Sequence, residues 1–174
     1  LNTDGNGKYL GEFSGDDKIL VITDRGTFKF SSYDLTNHYE DEIRLIQKFD
    51  PHKLFSAIYF DAEQGYYYVK RFRLEYTTKE TSLIGEEQGS ELLYLFEDAF
   101  PRVMLEFGGK NKNKADKEVH LYDFIGEKSY KARGKRLTQS ELKKIHILDP
   151  LPEENEEEKE EDEEDEQDQM SLQF

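Results

Sequence analysis

The chain has 174 residues, 35% hydrophobic, 13% aromatic and 36% charged, with a formal net charge of −15 at pH 7. That length and hydrophobic share allow one folded domain with a real core plus an unfolded part, and leave too little for a second domain. The absence of cysteine excludes a disulfide framework, a thiolate zinc site and a cysteine nucleophile and agrees with a reducing cytoplasm, while no apolar run approaches the roughly 18 residues of a membrane span.

The charge is unevenly spread. Residues 151–174 hold 13 Asp or Glu against Lys159 alone, a net of −12, and no hydrophobic residue occurs between 153 and 169. Such a composition cannot bury enough apolar surface to fold, so a disordered acidic tail is expected, ending in a small apolar group of Met170, Leu172 and Phe174. Residues 1–150 then carry 23 basic and 26 acidic side chains, a net of −3. The expected organisation is a domain over 1–150, nearly balanced in charge and able to present a basic surface, followed by a tail over 151–174.

In chain order, the opening LNTDGNGKYLGEF lacks the basic start and apolar middle of a secretory signal, and a chain beginning on Leu reads as a fragment of something larger. Asn2, Asp4, Asn6 and Gly7 imitate positions 1, 3, 5 and 6 of a calcium loop, but Phe13 falls where a bidentate Glu belongs, so a Gly/Asn-rich turn is expected. Residues 18–30, KILVITDRGTFKF, read as a hairpin with Gly26 in the left-handed position of its turn. Ile19 and Val21 alternate with Leu20 and Ile22, which predicts a central strand covered on both faces. Residues 31–50 have weak periodicity and read either as a short helical turn around Ile43 and Ile46 or as a long connection to Pro51.

Residues 54–75, LFSAIYFDAEQGYYYVKRFRLE, form the strongest hairpin, with turn chemistry at 61–65. Strand alternation puts Tyr66, Tyr68, Lys70 and Phe72 on one side and Tyr67, Val69, Arg71 and Arg73 on the other. Lys70, Arg71 and Arg73 are read either as a solvated face whose stems cover the tyrosines or as a phosphate-binding strand. Residues 77–89 read as a connection, and residues 91–107 as a third hairpin turning at 97–101. Residues 108–117, GGKNKNKADK, form a basic loop with Lys110, Lys112 and Lys114 as candidate phosphate contacts. A strand is expected over 119–125. Residues 128–144 carry seven Lys or Arg against one Glu, and Lys128, Lys131, Arg133, Lys135 and Arg136 around Gly134 read as phosphate-binding or as an ordinary basic loop. Thr138 to Glu141 match a helix start, and a short closing strand is expected over 145–148.

The hairpins start at Lys18, Leu54, Glu91 and Lys117, intervals of 36, 37 and 26 residues, a spacing that points to an array of antiparallel hairpin units in a propeller-like all-β fold. No histidine among His38, His52, His120 and His146 has a partner at metal-ligand spacing, and neither a Gly-x-Ser-x-Gly elbow nor a Walker loop occurs, so no metal site, cofactor, small-molecule substrate or catalytic constellation is expected.

Three runs, DDKILVITDRGTFKF at 16–30, FDAEQGYYYVKRFRLE at 60–75 and FIGEKSYKARGKRL at 124–137, together resemble the C-terminal domain of the A subunit of bacterial type II DNA topoisomerases, closer to topoisomerase IV than to gyrase. The resemblance implies a β-pinwheel with a reduced number of blades and a basic rim that binds or bends duplex DNA. It implies as partners the rest of the A subunit and, through it, the ATPase B subunit, in a bacterial cytoplasm at the nucleoid. The catalytic tyrosine of such an enzyme lies outside this domain, so the fragment is expected to have no cleavage activity. Ala132-Arg133-Gly134-Lys135-Arg136 is the nearest match to the gyrase glutamine-arginine-glycine-lysine box and lacks the glutamine, so tight wrapping is not implied. An alternative reading is a protein-interaction module whose acidic tail binds a basic partner.

Overall fold

The computed structural model describes residues 1–153. In chain order its strands are β1 (Ile19–Thr23), β2 (Thr27–Ser31), β3 (Ile43–Lys48), β4 (Phe55–Asp61), β5 (Tyr66–Phe72), β6 (Thr81–Ser82), β7 (Glu91–Phe96), β8 (Arg102–Phe107), β9 (Lys117–His120), β10 (Lys135–Arg136) and β11 (Leu142–Leu148). A single turn of 3-10 helix at Gly109–Asn111 and a four-residue helix, α1 (Leu121–Phe124), complete the regular structure.

All pairings are antiparallel and form three sheets, ordered β3-β1-β2-β6, β10-β5-β4-β7 and β11-β8-β9. One plan underlies them. Each sheet has a central strand (β1, β4 or β8) flanked by the strand that follows it and by a later one, which gives three units. A further short strand crosses backwards to lace neighbours together. Thus β6, from the second unit, adds to β2 of the first, and β10, from the third, adds to β5 of the second. This is the all-β, propeller-like pinwheel expected from the hairpin spacing.

The core lies between sheets. Leu20, Ile22 and Phe28 of the first sheet meet Phe55, Ala57, Tyr59 and Phe72 of the second, while Ile58 and Val69 from the second sheet's other face meet Val103, Leu105, Val119 and Ile145 of the third. The alternation of β4 and β5 therefore feeds two cores, because successive strand side chains point to opposite faces. β1 is buried along its whole length, as its two apolar faces predict.

Several elements differ from expectation. Residues 43–48 are neither helix nor loop but an edge strand, with Ile22 opposite Leu45 and Val21 opposite Ile46. β7 and β8 are both strands but not a hairpin: β7 pairs with β4 and β8 with β9 and β11, so residues 97–101 carry the chain from one sheet to the next. The strand expected over 119–125 stops at His120 and gives way to α1. Thr138 to Glu141 form a bend rather than a helix start, and β11 begins at Leu142, earlier than expected. The predicted tail falls, from residue 154 onwards, outside the described residues.

Candidate nucleic-acid interface

The central hairpin does not offer a row of free cations. Because β5 lies inside its sheet with a core on each side, its alternating cations turn inward. Lys70 is 1% exposed and donates to the carbonyls of Leu83, Tyr130 (2.6 Å) and Ala132 (3.5 Å), with the rings of Tyr59 and Phe72 beside it. Burial pushes its amine down to about 8. Arg71 is 8% exposed and donates to the Ala99 carbonyl at 3.1 Å; burial lowers its pKa. Arg73 is exposed but ion-paired with Glu127 and bonded to the His52 carbonyl at 2.9 Å. Lys70 and Arg71 are therefore structural and unavailable to a phosphate, which corrects the reading of β5 as an exposed phosphate-binding strand.

The last third of the folded part is different. Residues 110–144 contain 11 Lys or Arg against 5 Asp or Glu, whereas residues 1–109 contain 12 against 20. In the acidic part most exposed cations are matched: Arg25 lies among Glu40, Glu42 and Glu80, Arg44 meets Asp24, and Lys48 meets Asp17. In the basic part Lys110, Lys112, Lys114, Lys117, Lys128, Lys131, Lys135, Arg136 and Lys144 have no carboxylate partner among the described residues. Of the sequence candidates here, only Arg133 is neutralised, by Asp61 and Glu63, each at 2.8 Å.

The geometry holds two basic segments together. The loop after β8 is fastened to the bend before β11: the Gly108 amide donates to the Glu141 carbonyl at 2.9 Å, and the Glu141 amide to Asn111 Oδ1 at 2.8 Å. Lys114 Nζ donates to Ser140 Oγ at 2.8 Å and rests 4.6 Å from the centre of the Phe107 ring. Two residues earlier, the Thr138 carbonyl accepts from Arg136 Nε at 3.0 Å, and the guanidinium lies 3.3 Å over the Tyr66 ring. Thr138 and Ser140 thus bring Arg136 and Lys114 to one stretch of backbone. Lys135 is steadied by the Phe124 ring at 4.3 Å and the Phe124 carbonyl at 3.3 Å. Cations held by aromatic rings and carbonyls, without carboxylates, keep their charge for an external anion.

A family model described as the topoisomerase C-terminal domain of Bacteroidota matches residues 1–149. The chain belongs to this family. No curated protein matches it. In this topoisomerase domain the exposed candidates Lys110, Lys112, Lys114, Lys128, Lys131 and Lys135, with the half-buried Arg136, stand apart from the buried Lys70 and Arg71. Sequence reasoning passed over Lys117 and Lys144, both exposed and without ion pairs; they fall within the basic windows already counted, and only the pairings of β9 and β11 distinguish them. Among the described residues no helix is long and apolar enough to cross a membrane, and no group of three or more His, Asp or Glu is placed to hold a metal ion.

Proposed function

We propose that this domain is the non-catalytic DNA-binding part of the A subunit of topoisomerase IV, holding or bending duplex DNA through phosphate contacts while the rest of the A subunit and the ATPase B subunit perform the topological change. The observation that carries this reading is the nine cations over residues 110–144 that have no carboxylate partner among the described residues, in a chain of the topoisomerase C-terminal family. Cations presented by β9, β10 and β11 and by the loops beside them contact phosphates, fix register and carry no base readout. The contact residues are Lys110, Lys112, Lys114, Lys117, Lys128, Lys131, Lys135, Arg136 and Lys144.

Topoisomerase IV rather than gyrase is supported by the missing glutamine and by Arg133, whose charge is spent on Asp61 and Glu63. The DNA-binding unit is residues 1–150, acting at the bacterial nucleoid. Residues 151–174 form a tethered polyanion of net charge −12 that competes with DNA for the basic face at an effective concentration on the order of millimolar. That charge also favours a second reading, in which the tail engages a basic protein partner. Binding of linear duplex DNA with and without the tail, across a salt series, tests the two together: the first reading requires binding that persists without the tail.

A further inference from the structure

Two carboxylates reach into the basic stretch, and they hold Arg133 in different ways. Residues 128–137, KSYKARGKRL, contain five Lys or Arg and no acid. Both carboxylates come from the end of β4 and the turn that follows it. Asp61 Oδ2 meets Arg133 Nε at 2.8 Å, and Glu63 Oε2 meets Nη2 of the same guanidinium at 2.8 Å.

Asp61 is built into the fold. It is the last residue of β4, it is buried, and its other oxygen accepts the amides of Glu63 at 3.0 Å and Gln64 at 3.2 Å. Those two bonds fix the carboxylate without help from Arg133. Glu63 differs, because its side chain is 63% exposed and Arg133 is the partner of its carboxylate among the described residues. An exposed ion pair of this kind adds little to stability, so its effect is to be sought in the charge it presents.

The backbone of Arg133 is also fixed independently of Glu63. The Tyr59 hydroxyl donates to the Arg133 carbonyl at 2.5 Å, and Gly134 packs against the Val69 carbonyl of β5. Lys131 and Lys135, exposed and without carboxylate partners, lie two residues to either side. Asp61 engages Nε and leaves Nη2 to Glu63, whose oxygen takes the place that a phosphodiester oxygen takes in a charge-assisted hydrogen bond. The formal charges of Arg133, Asp61 and Glu63 sum to −1. The middle of the cation run is therefore locally negative.

We propose that Glu63 sets the affinity of the DNA-binding surface: it occupies the phosphate-binding edge of Arg133 and keeps that arginine out of contact with the DNA backbone. The inference rests on the DNA-binding reading and adds to it a residue that weakens binding. Asp61 has no such role, since it holds Arg133 in place from the buried side.

Binding of linear duplex DNA by the full chain and its variants, across a salt series, tests this. Glu63→Gln is expected to raise affinity by about fivefold or more at about 0.1 M salt, and to steepen the slope of log affinity against log salt by about 1, as one added phosphate contact does. Asp16→Asn removes the same formal charge from an exposed carboxylate ahead of β1, and is expected to change affinity by less than about twofold, because salt screens distant charges. Adding Arg133→Gln to Glu63→Gln should return affinity to that of wild type. Equal effects of Glu63→Gln and Asp16→Asn, or a gain that survives Arg133→Gln, overturn the inference while leaving the DNA-binding reading intact. Absence of binding by every variant at low salt overturns both.

Discussion

Gly134 lies directly against Val69: at its φ of +90°, a Cβ would overlap the Val69 carbonyl oxygen and stand 2.9 Å from Lys70 Cβ. The turn that presents Lys131, Lys135 and Arg136 is also the seam by which β10 joins β5. Gly134→Ala brings both a backbone clash and a left-handed alanine, and is expected to cost at least about 2 kcal/mol. Thermal unfolding should show a fall of about 4 °C or more; an unchanged transition would mean that β10 does not pair as described.

Lys70 ties both lacing segments to β5, through Leu83 after β6 and through Tyr130 and Ala132 before β10. Lys70→Met leaves those carbonyls without a donor and is expected to destabilise the fold by about 2 kcal/mol at neutral pH. Burial lowers the folded pKa from 10.5 to about 8, so between these values the unfolded chain binds more protons and stability rises with pH. The gap between wild type and Lys70→Met in urea denaturation should therefore widen from neutral pH to about pH 9.5. A gap that stays constant would show that Lys70 keeps an ordinary pKa.

The sequence displays β1, β2, β4 and β5 because both hairpins pair locally and their turns carry Gly26 and Gly65, each with positive φ. It hides β6 and β10, two-residue strands whose partners lie in another unit and whose own residues, Thr81, Ser82, Lys135 and Arg136, have no strand periodicity. The apparent hairpin of β7 and β8 shows the opposite error, since strands adjacent in sequence usually pair and nothing in residues 97–101 marks a change of sheet. For the site, the alternation of β5 was legible but its burial was not: a strand with one solvated face and a strand between two cores carry Lys70 and Arg71 in the same pattern. Ion pairing was equally invisible, because Arg133 meets Asp61 and Glu63 from a distant part of the chain.

Lys112→Glu combined with Lys131→Glu alters two exposed cations that have no carboxylate partner among the described residues. DNA affinity is expected to fall for every sequence tested, with the slope of log affinity against log salt shallower by about 2. Melting should be unaffected. Sequence-dependent losses would point to base readout instead.

Glu106 is held below its ordinary value of 4.5 by hydrogen bonds first from Lys143 and then from His146, and Glu118 by His120 and then Arg102. A carboxylate with a lowered folded pKa contributes stability that is present above its unfolded value and lost as pH falls through the folded one. The double variant Glu106→Gln with Glu118→Gln should therefore melt below wild type at neutral pH and converge with it in acid. Parallel curves down to about pH 3 would show that the ion pairs of the third sheet add nothing.

The most direct test of the central claim is the binding of linear duplex DNA by the full chain and by residues 1–150, measured in parallel across a salt series. The shorter protein is expected to bind with a steep salt slope and the full chain more weakly, because the tail's −12 charge competes for the same cations. Absence of binding by both at low salt would contradict a DNA-holding role for the basic face of residues 110–144.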